Sequence, residues 1–167
     1  MKLQLTPGQA VTIHGWARPR TYLTWSDVLL DPKLTFAYLT DTCKLSDTSL
    51  HLLQPDIAAW VKAGRVVLAD CPRLCPWDAH PIRDLHADLA DLLQARWTAD
   101  VLSRLGVSYE DLKGVGLIPE NMSLFSWITL AGWATLGFRR EHADAVQPRT
   151  LYRLFGMSKP DVLASLR

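Results

Sequence analysis

A short punctuation mark recurs along this chain and limits what it can fold into. Lys44-Leu45-Ser46, Gly106-Val107-Ser108 and Gly156-Met157-Ser158 each follow one apolar-periodic stretch and precede another. In the middle copy the glycine suits the left-handed residue that ends a helix. Val107 then plugs the angle between helices, and Ser108 with Asp111 makes a short-armed capping box for the next one. A chain broken in this way folds as helices meeting at steep angles. The copies lie about 50–60 residues apart and the segments between them differ, which predicts isolated corners rather than a solenoid of equal repeats.

Residues 2–5, a Thr6-Pro7-Gly8 turn and residues 10–14 predict a small β-hairpin, with 65–69 as a further candidate strand. Trp16, Arg18 and Arg20 lead away from it as an arm. Asp31 as N-cap and Pro32 as first helical residue predict a helix over 32–42. Helices over 46–53 and 55–62 follow, the second stopped by Gly64. A Pro/Cys-rich loop, 71–80, divides the chain. Pro81 opens the longest amphipathic element, with Ile82, Leu85, Leu89, Leu92 and Leu93 on one stripe. It runs on to Leu105 or is re-capped at Thr98. Residues 121–138 carry no charge and touch the lower length limit of a membrane span. Asn121, Ser123, Ser126, Thr129, Thr135, Gly132 and Gly137 interrupt that stretch and fit a buried central helix better. The expected fold is mainly α, an orthogonal helical bundle with a small N-terminal β-hairpin. Residues 1–20 would pack on a helical domain, 21–167, with a subdivision at 70–81.

Composition narrows the function classes. Of 167 residues 49% are hydrophobic, which excludes a mainly disordered chain, and 18 basic against 17 acidic residues leave a net charge of +1. The average hides a segregation. Residues 70–91 carry five acids (Asp70, Asp78, Asp84, Asp88, Asp91) against Arg73 and Arg83. Residues 139–167 carry six bases (Arg139, Arg140, Arg149, Arg153, Lys159, Arg167) against Glu141, Asp144 and Asp161. Opposite patches suit docking to a charged partner or self-association. Cys43, Cys71 and Cys75 are too few for a disulfide framework, and the N-terminus lacks the apolar run of a secretory signal. A cytoplasmic or virion location follows as the expectation, with no membrane association. Cys71 and Cys75 with His80 or His86 supply only half of a zinc site. Asp84, Asp88 and Asp91 match the polar face of the amphipathic helix opposite its leucines. The five histidines are dispersed, and no nucleophile elbow or phosphate loop is present. The chain therefore reads as a non-enzyme without cofactor. Of seven tryptophans, Trp25, Trp60, Trp97, Trp127 and Trp133 fit core positions. Trp16 and Trp77 fall outside regular elements and, with Arg18, Arg20, Arg139 and Arg140, are candidate partner contacts.

Two resemblances follow from these residues. VLSRLGVSYEDLKG, 101–114, resembles the helix-turn-helix of bacterial DNA-binding proteins. That likeness implies a recognition helix whose start, at Ser108, Tyr109, Glu110 and Lys113, would read base edges, with Arg104 as a further DNA contact, although Glu110 and Asp111 would face phosphates. LLQPDIAAW (52–60), HPIRDLHADLADLL (80–93) and GLIPENMSLFSWITLAGWATLGF (116–138) together resemble small structural or assembly proteins of tailed bacteriophages. This second likeness implies a non-catalytic chain that docks to copies of itself or to other subunits of a virion, tail or connector. Assembly is the leading expectation and a DNA-binding regulator the alternative.

Overall fold

The structure, a computed structural model, describes residues 1–17, 19–74 and 80–166. It divides into two compact units, Met1–Cys75 and Pro76–Arg167. As the sequence predicts, the protein is mainly helical, with a small two-stranded antiparallel sheet at the N-terminus.

In the first unit β1 (Lys2–Gln4) pairs with β2 (Tyr22–Thr24), Leu3 lying opposite Leu23. The expected second strand, 10–14, is instead helix α1 (Pro7–His14). Thr6-Pro7-Gly8 is a helix start and not a turn. Thr6 Oγ1 accepts the Gln9 N–H, Gln9 Oε1 accepts the Thr6 N–H, and Pro7 occupies the first helical position. Residues 65–69 add no strand. The Arg65 carbonyl accepts the Phe36 N–H, and a 3-10 turn begins at Leu68 (Leu68–Arg73). Helices α2 (Trp25–Leu30), α3 (Asp47–His51) and α4 (Ile57–Lys62) start at Thr24, Ser46 and Asp56, each of whose side chains accepts the backbone N–H three residues on. Of the helix expected over 32–42, the part from Thr35 onward forms, as a tight turn leading into a π-helical turn, Tyr38–Thr42.

The second unit holds α5 (Pro81–Asp84), α6 (Leu89–Ala95), α7 (Ala99–Arg104) and α8 (Tyr109–Gly114). A 3-10 segment (Pro119–Phe125) follows, then α9 (Leu130–Thr135), α10 (Arg140–Asp144), α11 (Pro148–Phe155) and α12 (Lys159–Ser165). Two long helices expected from hydrophobicity are therefore broken. The stripe from Pro81 to Leu105 is cut by an unexpected cap at Asp88 and by the re-capping at Thr98, one of the two expected courses, each cap preceded by a left-handed residue, His86 and Arg96, at φ +53°. The uncharged stretch 121–138 is cut at Thr129, whose hydroxyl accepts the Gly132 N–H. Among the described residues no helix is long and apolar enough to cross a membrane.

At all three corners a left-handed residue, Lys44, Gly106 or Gly156, precedes a serine-capped helix, and these corners belong to a denser rhythm. The residue four places after a cap is, at most of the helices, a core knob. These knobs are Val28, Leu39, Leu50, Trp60 and Cys71 in the first unit. In the second they are Leu92, Leu102, Leu112, Met122, Trp133, Ala143, Leu151 and Val162. None is more than 2% exposed. Within each unit they follow one another every ten or eleven residues, with a single interval of eight at Ala143–Leu151. Eight of these thirteen beats comprise a cap, one to two helical turns and a left-handed residue before the next apolar plug. The plugs Val107, Leu117 and Phe138 are themselves buried.

Two of the contacts between beats bridge about thirty residues, while α12 packs on the nearer α10 and α11. Trp127 Nε1–H donates to the Trp97 carbonyl at 2.9 Å, and α7 packs on α9. The 3-10 segment packs on α11. At the α7–α9 contact a Cβ built on Gly132 would lie 3.0 Å from Ala99 Cβ and 3.0 Å from Ile128 Cγ2. The Ala99 methyl cannot rotate away, so the helices themselves would have to separate. Gly132→Ala is accordingly expected to destabilise the protein by about 1–3 kcal/mol despite the better helix propensity of alanine, read as a lowered urea midpoint.

Candidate functional site

Three places in the second unit bring functional side chains together. At the first, two histidines hold α8. The Arg83 N–H donates to His80 Nδ1 at 3.2 Å, and the Arg139 N–H donates to His142 Nδ1 at 2.8 Å. An accepted hydrogen bond requires the Nδ1 lone pair, so each ring carries its proton on Nε2. His80 Nε2 faces Asp111 at 3.5 Å and His142 Nε2 faces Glu110 at 3.2 Å. The His142 ring also lies against Phe138 and Tyr109, with centroids 5.8 and 4.9 Å away.

Ser108, Asp111 and His80 contain the residue types of a hydrolytic triad in an unproductive order. Ser108 Oγ–H donates to Asp111 at 2.7 Å, and His80 faces the same carboxylate rather than the hydroxyl. The imidazole is not placed to take the serine proton, and the groups serve instead as helix caps. Partial burial works against ionisation of Asp111, but the Ser108 hydroxyl and backbone N–H, with the neighbouring His80, outweigh it and hold the carboxyl below its ordinary range. Glu110 is lowered by the Lys113 ammonium and by His142. A carboxyl depressed in the folded state contributes stability above its unfolded pKa and loses it as pH falls through the folded value. Asp111→Ala is therefore expected to lower stability by about 1 kcal/mol at neutral pH. The difference from wild type should shrink in acid, starting below about pH 4, when both are unfolded by urea across a pH series.

The second place is the helix-turn-helix corner, which holds the residues of the DNA alternative. Tyr109 is 4% exposed and packs edge-on against Trp133 and Phe138, so it reaches no base. Ser108 is occupied by Asp111, and Lys113 Nζ pairs with Glu110 at 3.0 Å. Helix α8 has six residues, too short to present a reading face along a major groove. Arg104 closes α7 and is engaged within the fold.

The third place lies among α10, α11 and α12. An open groove of about 840 Å³ runs between them. Pro148, Tyr152, Pro160, Leu163 and Ala164 make its apolar lining, and Arg140, Arg149 and Lys159 stand among them. The corner Gly156-Met157-Ser158 builds this shape. Gly156, at φ +66°, turns the chain back after α11, and Ser158 caps α12 so that both helices contribute to one surface. Tyr152 is 65% exposed, although it sits on a helix whose Leu151 is fully buried. Lys159 Nζ donates to the Asp144 and Val146 carbonyls and lies 3.5 Å from the Asp144 carboxylate. Arg140 and Arg149 have no ion-pair partner among the described residues.

The remaining candidates are dispersed. Trp16 is 86% exposed just beyond α1. Arg20 is tied to Asp27 at 2.7 Å and lies over the Tyr22 ring. Arg139 donates to the Ala134 carbonyl. Arg18 and Trp77 lie outside the described residues, as does Cys75 of the half zinc site. Cys71 is buried, and no group of three or more metal-ligating side chains occurs among the described residues. Asp84, Asp88 and Asp91 do not share one helix face as expected. Asp84 ends α5 and accepts the His80 N–H, while Asp88 and Asp91 cap α6 reciprocally. Trp60, Trp97 and Trp133 are core, while Trp25 and Trp127 are half-buried against Trp60 and Phe125. Sequence reasoning singled out Arg140 but not Arg149, Tyr152, Lys159 or Leu163. The alternation of Arg149, Tyr152 and Arg153 on the outer side of an amphipathic helix was the available signal. No family model, curated protein or solved structure matches the chain.

Proposed function

We propose that this protein is a non-catalytic docking protein that works in assembly, and that the α10–α12 groove is its docking surface. The observation that carries the reading is the groove itself. It combines an open apolar lining, an exposed tyrosine and two arginines without an ion-pair partner among the described residues. Exposed tyrosine and arginine in an apolar setting are the side chains that dominate binding energy at protein interfaces. The arrangement of Ser108, Asp111 and His80 favours this over hydrolysis, because both the hydroxyl and the imidazole are spent on one carboxylate. The likeness of three segments to phage structural proteins supports a partner within a virion or its assembly line.

The test is a photo-crosslinking amino acid in place of Tyr152, with the same group in place of the exposed Glu120 as control, in cells that make the partner complex. A discrete adduct at position 152 and none at 120 is expected. An adduct of twice 18.8 kDa would identify a second copy, and any other sharp mass a different subunit. Equal smearing from both positions, or no adduct at either, would contradict the proposal.

A further inference from the structure

We infer that the α10–α12 groove accepts an acidic peptide segment of a partner protein, one that carries a large apolar side chain flanked by carboxylates. The inference rests on the docking role proposed above and adds the chemistry of what docks. The lining supplies the first half of the recognition. Tyr152 and Leu163 offer apolar surface beside Pro148, Pro160 and Ala164, and an apolar side chain placed there would leave water. The charges supply the second half. Of the three cations at the groove, Lys159 is neutralised by Asp144, whereas Arg140 and Arg149 are exposed and unmatched among the described residues.

Local geometry strengthens the positive field. Arg149 sits in the first turn of the eight-residue α11, which has no acidic residue there to offset the helix dipole. Each guanidinium can take a carboxylate by two parallel hydrogen bonds, a geometry that a lysine could not reproduce. A nucleic acid would meet the same two arginines, but phosphate backbones are bound by cationic tracks, and the material between these arginines is proline, tyrosine and leucine. The combination matches a peptide with alternating acidic and apolar character.

The test is selection from a displayed library of random short peptides on the intact protein. Selection is repeated on the Arg140→Glu/Arg149→Glu double variant and on Tyr152→Ser, with circular dichroism to confirm that each variant folds. Both arginines and the tyrosine are exposed, and none of their side chains makes a hydrogen bond to another described residue. Peptides enriched on the wild type should contain an aromatic or large aliphatic residue within a run of Asp and Glu. Their affinity should fall by about tenfold or more on either variant and weaken with added salt. Enrichment of neutral or basic peptides would overturn the acidic partner while leaving a docking groove. Enrichment of nothing, or of peptides indifferent to both variants, would overturn the docking role as well. Displacement of bound peptide by duplex DNA at equal charge would assign the arginines to phosphate instead.

Discussion

Trp133→Ala should destabilise the protein by about 3–5 kcal/mol, a large share of what a domain of this size possesses. Trp133 is the knob of α9 and is 1% exposed. Its ring meets Phe125 and Tyr109 edge-on at 5.9 and 6.3 Å, so one side chain joins α9, the 3-10 segment and α8. Because every helix here is short, none carries a second layer of contacts to share the loss. Isolated helices of this length do not persist in water, and tertiary packing of the knobs is what keeps them formed. Removal of the indole should therefore lower the urea midpoint and reduce the helical signal in one transition. Trp16→Ala, at an 86% exposed position, should change stability by no more than about 0.5 kcal/mol. Equal effects of the two substitutions would mean that burial does not distinguish these tryptophans.

The second large effect concerns the joints. Gly137 ends α9 at φ +98°, a conformation that a β-branched residue enters only under strain. Gly137→Val should cost about 1–3 kcal/mol, although a Cβ there would meet no other atom within 4 Å. Gly114→Ala provides the internal control. Gly114 closes α8 at negative φ, and its surroundings are equally open. That change should stabilise by about 0.4–1 kcal/mol through the unfolded chain. Opposite signs at two open glycines twenty-three positions apart would isolate backbone conformation from packing.

The contrast explains what could be seen in the sequence. Gly106 and Gly156 announce their corners because glycine is the residue expected at a left-handed position. The third visible corner has Lys44 in that place, and other joints hide behind Gln54, His86 and Arg96, which adopt the same positive φ without a compositional mark. The ten-residue beat therefore left three visible copies, separated by several invisible ones, and looked like isolated corners. Hydrophobic stripes misled for a related reason. Leu85, Leu89, Leu92 and Leu93 satisfy a helical period, yet Asp88 between them bonds the Asp91 N–H and starts a new helix. An Asp inside an apolar-periodic run can be either a polar face or a cap. At the N-terminus, Thr6-Pro7-Gly8 has the same ambiguity between turn and helix start, and the Gln9 side chain decides it. The mainly helical class was legible because caps and apolar knobs are local. The groove was less so, because its arginines, tyrosine and leucine come from three helices that only the Gly156 corner folds together.

Charge exchange tests the docking account most directly. An acidic peptide selected on the wild-type groove is titrated by calorimetry against wild type and against the Arg140→Glu/Arg149→Glu variant. Its counterpart with lysine at every acidic position is titrated in the same way. The account predicts that wild type binds the acidic form and that the variant prefers the lysine form. Identical affinities across the four pairings, or loss on the variant without recovery by the lysine peptide, would contradict recognition of a carboxylate-bearing partner at this surface.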